Sequence, residues 1–330
     1  MTRLVAAFRS NDRVAGIALV LLALLSFSTS DAIASALTQQ FSPTQVVTLR
    51  FATGLILLLP FIVTLRRAEL LRFEHPVANL VRGFGIFGSA VFFVAALAHL
   101  PIATATAIGF VSPFVITLVS IPVLGEKVGR HRWAAIAAGF VGVLIVVRPG
   151  TEGFTLAHLL PVLSACCWAA AVIAMRWSGD TGGIRGTLGA LVFANLFGGV
   201  AGLMLTGGSD WEVGAADLPV IGAYGLFSIL GHGLMAFALL RAAASLLAPF
   251  SYTQIVWSTA YGMVLFGQVP DVATVLGSIV IIGSGLYVFW RERRVEAAPD
   301  RETVMPAAES LAPVAPEPLP AVPMANPDGE

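Results

Sequence analysis

The sequence predicts an all-α integral membrane protein of ten transmembrane helices arranged as two inverted five-helix repeats. Three observations carry that prediction. The chain is 57% hydrophobic and only 12% charged, whereas a soluble domain is about half apolar and about a quarter charged. Apolar runs of about 20 residues, enough to cross a bilayer core as a helix, recur along it with short loops between them. Finally, the landmarks of residues 96–147 return in 238–289. One apolar run closes on Leu124-Gly125-Glu126 and the other on Phe266-Gly267-Gln268; a second, Gly-dotted run then ends at Arg148 or Arg291. Residue identity between the copies is at noise level, so the repeat is one of landmarks and hydropathy, as is usual in membrane proteins.

The spans fall at about 14–37, 44–65, 77–98, 102–124, 132–147, 156–176, 187–206, 218–240, 246–266 and 272–290. Arg3, Arg9 and Arg13 ahead of the first, with Ala34-Ser35-Ala36 behind it, also resemble a cleaved signal segment. Cleavage would leave nine spans and break the five-plus-five arrangement, so the first span is expected to stay as a helix. Of the 19 basic residues, all but three fall near the termini or in loops on the same side as the termini. Arg50 and Arg82 lie inside spans, and only Arg148 sits on the opposite side, whose loops carry Glu152, Asp210, Glu212 and Asp217. Basic loops resist translocation, so both termini are expected in the cytoplasm. Five spans per half make the halves enter the membrane from opposite faces, and inverted halves of this kind leave a cavity between them near the midplane. The expected organisation is a cytoplasmic N-terminus at 1–13, repeats at 14–148 and 149–291, and a disordered cytoplasmic tail at 292–330. From Val295 onward the tail has eight prolines and no aromatic residue, a composition that cannot bury enough surface to fold.

Acidic and basic residues are equal in number, 19 each, which gives no case for nucleic acid as a partner. Cys166 and Cys167 are adjacent in an apolar run, where a disulfide between neighbours is strained, and no cluster has metal-ligand spacing. The sole lysine, Lys127, has no phosphate-binding loop around it, and neither His-Glu-x-x-His nor Gly-x-Ser-x-Gly occurs. No catalytic residue, metal or cofactor is expected.

Function is expected where polar residues enter the spans, since a charge at the bilayer centre costs at least about 2.5 kcal/mol on insertion scales. Asp31 is the only acidic residue well within a span. Arg50 lies about as far from the start of the second span as Asp31 does from the end of the first. Adjacent antiparallel helices would therefore put the two at one depth, and an ion pair is expected. That pair either pins the spans together or leaves Asp31 to bind a cation or proton. Ser112, Trp168, His232, Tyr252, Gln254 and Trp257 form a second group near mid-depth. Aromatics with a few hydrogen-bonding groups are the usual make-up of a pocket for an organic solute. Pro113 and Pro249 each remove a backbone donor, leaving a carbonyl for a ligand or a neighbouring side chain. Small residues four apart, such as Ala135 and Gly139, Ala138 and Gly142, and Ala194, Gly198 and Gly202, let helices approach closely, within one chain or across a homodimer.

Several of these pieces together resemble a known family. Pro113-Phe114 with Leu124-Gly125-Glu126, Ala248-Pro249-Phe250-Ser251-Tyr252-Thr253-Gln254 with Phe266-Gly267, and the opening Ser30-Asp31-Ala32 are similar to the drug/metabolite transporter superfamily, specifically its EamA-type carriers, over about residues 10–291. The resemblance implies a bacterial inner-membrane carrier of a small organic metabolite, such as an amino acid, S-adenosylmethionine or riboflavin, that works by alternating access. It also implies a cavity lined mainly by spans one, three, four, six, eight and nine. Gln268 stands where the family commonly has an acid, so no role needing charge is expected there. A proton gradient acting through Asp31 or His232 is one source of energy, and exchange is the other. The rival readings are an integral-membrane enzyme, which would need several acid, base or metal-binding residues at one depth, and a non-transporting scaffold or sensor.

Overall fold

In lipid a backbone must satisfy its own N–H and C=O groups, so uncharged runs of Leu, Val, Ala and Phe wind into helices. The computed structural model describes residues 2–64, 76–126, 128–177, 184–207, 211–242 and 244–296, and every regular element among them is helical. The expected tail from 297 onward lies outside the described residues, as does Lys127.

Helix α1 (Thr2–Leu37) starts well ahead of the first expected span, since no Pro or Gly interrupts it before Gly16. Helix α2 (Pro43–Thr64) opens on a capping box: Ser42 Oγ accepts from the Gln45 N–H at 3.3 Å and Gln45 Oε1 accepts from the Ser42 N–H at 2.9 Å. Helix α3 (Pro76–Leu97) follows, and then a broken pair, α4 (Ile102–Gly109) and α5 (Ser112–Leu124). Helix α6 (Arg130–Val147) completes the first half. A 3₁₀ turn at Leu156–Leu159 leads into α7 (Leu160–Trp177), followed by α8 (Ile184–Thr206) and α9 (Leu218–Arg241). A second broken stretch runs from α10 (Ala244–Leu247) through a 3₁₀ turn at Ala248–Tyr252 into α11 (Thr253–Phe266). Helix α12 (Val272–Glu296) continues past the last expected span. Both α5 and α11 stop at a glycine in the left-handed region, Gly125 (φ 69°) and Gly267 (φ 62°), a conformation that costs other residues more.

Among the described residues, eight segments are long and apolar enough to cross a membrane, with α4 and α5 counted together as Ile102–Leu124. The apolar part of α8, Leu191–Thr206, is shorter. Large apolar side chains such as Ile56, Met204, Val264 and Ile279 are exposed on the outside of the bundle, where lipid is their solvent. Inside, α1 packs against α9, α3 against α7 and α2 against α8, while α4 crosses α11. The small-residue stripes are used within the chain. A Cβ on Gly198 or Gly202 would collide with Phe51 or Thr48 of α2, and one on Gly277 of α12 would stand 2.6 Å from the carbonyl oxygen of Gly142 in α6.

Candidate functional site

A cavity of about 400 Å³ lies among α1, α2, α3, α4, α5, α7, α9 and the stretch from Ser251 to Gln254, a size within the range of small-molecule sites. The two broken helices shape it. Pro113, at the start of α5, has no N–H, so the carbonyl of Gly109 four residues earlier loses its helical donor, and both residues line the cavity. Across from this break, the tighter winding of the 3₁₀ turn that contains Pro249 brings Ser251 and Gln254, three residues apart, onto one line facing the same space.

Asp31 on α1 and Arg50 on α2 both line the cavity, but the expected direct ion pair is not formed. Arg50 donates its Nε–H to Ser228 Oγ on α9 at 2.8 Å and also engages Tyr224 one turn earlier. Asp31 meets the Gln254 side chain and interacts with Arg50 only through space. The physical reason is placement: α9 packs against both α1 and α2 and comes between these consecutive helices. Ser228 is the junction of this wall. Its hydroxyl serves Arg50, and its carbonyl lies 2.8 Å from Nδ1 of His232. Because a carbonyl can only accept, the proton is assigned to Nδ1, and Nε2 of the neutral ring is left as an acceptor. Phe27 meets the His232 ring edge-on with centroids 4.8 Å apart. On the opposite wall, Ser164 Oγ donates to the Ser89 carbonyl at 2.8 Å while the two hydroxyls pair at 3.0 Å, which joins α7 to α3. Phe93, Phe110 and Trp168 supply further aromatic surface.

Of the residues singled out from sequence, the structure brings Asp31, Arg50, Ser112, Pro113, Trp168, His232 and Gln254 to this cavity. Tyr252 and Trp257 are not part of its wall. Tyr252 is about a third of a turn off the line through Ser251 and Gln254. It stacks on Phe110 with centroids 5.2 Å apart and reaches Gly285 of α12. Trp257, a turn beyond Gln254, packs into an apolar cluster with Val20, Leu24 and Ala238. Its Nε1 is buried without a hydrogen-bond partner among the described residues. Sequence reasoning missed Ser228 and Tyr224. The available signal was the four-residue spacing of Tyr224, Ser228 and His232, which puts three polar side chains on one face of α9.

Residues 14–148 match the model of the EamA-like transporter family. A riboflavin transporter of Rhizobium johnstonii is 31% identical over 296 residues, covering 89% of this chain and 97% of its own. This chain belongs to the EamA-like transporter family. An S-adenosylmethionine uptake transporter of Rickettsia prowazekii is 28% identical over 281 residues, 84% of this chain and 94% of its own. A solved protein crystal structure shares the fold with a TM-score of 0.56 and 23% identity, over 87% of this chain and 99% of that one. As an EamA-like transporter the chain is a multi-pass membrane carrier of small metabolites.

Proposed function

We propose that this EamA-like transporter is a secondary carrier of the bacterial inner membrane that moves its cargo by alternating access, with both termini cytoplasmic and no enzymatic step. The observation that carries the reading is a carboxylate, a guanidinium, an imidazole and an amide gathered on one cavity among apolar spans, an arrangement that membranes tolerate only around a pathway or a ligand. Ten spans follow when α8 and the α10–α11 stretch are counted with the eight longer segments. The packing supports an inverted repeat of 14–148 and 149–291. Exchanging each helix for its counterpart in the other half turns the α1–α9 pair into α7–α3 and returns α2–α8 to itself. The proline breaks and the left-handed glycines correspond in the same way. Asp31 and Gln254 face each other from different halves, so rocking of the halves would open and close the site between them.

Riboflavin and S-adenosylmethionine, the cargoes in the relatives' names, are the first candidates. A proton crossing about 100 mV gains about 2.3 kcal/mol, enough for accumulation of some tens-fold, and Asp31 or His232 would be the titrating group. The test is flux of both compounds and of a metabolite pool into and out of liposomes holding the purified protein. Saturable flux that follows the pH gradient and weakens in Asp31→Asn is the expected result. Flux indifferent to pH gradient and voltage would replace proton coupling by exchange, and no flux at all from correctly folded protein would leave a non-transporting scaffold.

A further inference from the structure

We infer that the cavity takes a dipolar organic solute, its cationic group at Asp31, its acidic group at Arg50 and its apolar body against the aromatic wall. The inference rests on the carrier reading and narrows its cargo. Asp31 and Arg50 line one cavity of about 400 Å³ without closing on each other, since α9 stands between their helices. Each is oriented by neutral partners: Arg50 by Ser228 Oγ at 2.8 Å and by Tyr224, Asp31 by Gln254. Neutral partners fix direction but leave net charge uncompensated, and in a low-dielectric wall an uncompensated charge draws an opposite one strongly. A pair serving only to join two helices would be in contact, whereas this one is split across a space of ligand size. Ser228 takes the Nε–H of Arg50, so an acid would be gripped by the terminal NH₂ groups, whose paired hydrogens suit a carboxylate. Phe27 and Trp168 add faces that favour a cation as well as apolar surface. An uncharged cargo would leave both charges unmet within the membrane, and a singly charged one would leave one of them.

Binding of five probes to the purified protein, read by calorimetry and thermal stabilisation, tests this. L-tryptophan and S-adenosylmethionine are dipolar, tryptamine is a cation, indole-3-propionate an anion, and riboflavin uncharged. At least one dipolar probe should bind about tenfold or more tightly than the other three. Asp31→Asn should weaken that probe by a similar factor and leave indole-3-propionate unchanged. Arg50→Gln should weaken it too and leave tryptamine unchanged, with a smaller loss in Arg50→Lys. The proposal is overturned if riboflavin or a singly charged probe binds as tightly as both dipolar probes, or if neither Asp31→Asn nor Arg50→Gln alters dipolar binding by more than about twofold. The comparison of probes on the unaltered protein decides the matter even where a variant fails to fold. Liposome flux separates this inference from the reading beneath it. Riboflavin flux indifferent to both substitutions keeps the carrier and sinks the dipolar cargo, whereas selective dipolar binding without flux of any probe keeps the cargo class and sinks the carrier.

Discussion

The two ends of the helix bundle are tied together by different chemistry. At the end that holds Ile102, polar contacts between residues 14–148 and 149–291 form a ladder running inward. Arg148 pairs with Asp271 at the surface, and Gln268 Oε1 accepts from the Ile102 N–H at 3.2 Å. Below them Thr104 meets Thr274 at 3.3 Å, Thr106 donates to Ser258 at 3.0 Å, and Thr29 meets Tyr261 at 2.7 Å. At the other end, the printed contacts between the same parts of the chain, Arg176 with Glu126 and His131 with Tyr287 at 3.1 Å, are exposed. Buried hydrogen bonds are costly to break without replacement, whereas exposed pairs exchange with water at little cost. The Ile102 end is therefore held more firmly in this conformation, and the ladder stands between that end and the cavity.

The comparison breaks most readily at the ladder. Ser258 is wholly buried, and Ser258→Leu should destabilise the protein by about 3 kcal/mol through overpacking and a lost bond to Thr106, seen as a lower unfolding midpoint in detergent. Ser258→Ala should cost only about 1 kcal/mol. Next comes a matched pair of loop substitutions. Gln268→Ala strands the first N–H of α4 and should cost about 1–2 kcal/mol, while Glu126→Ala removes an exposed ion pair and should cost under about 0.5 kcal/mol. The reverse order in a thermal-shift measurement would sink the contrast between the two ends.

The smallest effect is one of pH. Burial pushes the Asp271 carboxyl up, but hydrogen bonds from the Thr274 hydroxyl and N–H and the pairing with Arg148 outweigh it and hold the group below its ordinary value of 3.8. A carboxyl depressed in the folded state adds stability that is fully present above its unfolded value and is lost as pH falls through the folded one. The contribution should be constant from about pH 5 upward and fade below about pH 4. Its size is limited by exposure, since both side chains of the pair are 44% exposed. Unfolding midpoints of the protein and of Asp271→Asn should converge in acid.

The helices were legible because length and hydropathy state them directly, and Asp31 and Gln254 because a polar group in lipid is rarely idle. The partner that each charge takes was not legible, since chain order makes α1 and α2 look adjacent and only the packing of α9 separates them. Tyr252 and Trp257 were expected at the cavity because a 3₁₀ turn changes the phase of everything after it, and that shift leaves no mark in composition. Serines are harder still. Ser26, Thr48 and Thr206 bond to their own helix backbones, which is how most membrane hydroxyls are satisfied, and nothing in the letters sets Ser228 apart from them. Gln268 shows the opposite limit. Sequence registers the missing negative charge, while the neutral oxygen that the neighbouring helix needs becomes visible only in three dimensions.

The Gly109 carbonyl, left without its helical donor by Pro113, is a feature of the main chain and not of any side chain. Whatever hydroxyl or ammonium comes to rest on it is recognised by an atom that every amino acid carries. An alanine scan would pass over that contact in silence, and only a change that returns the missing N–H, such as Pro113→Ala, would reveal it.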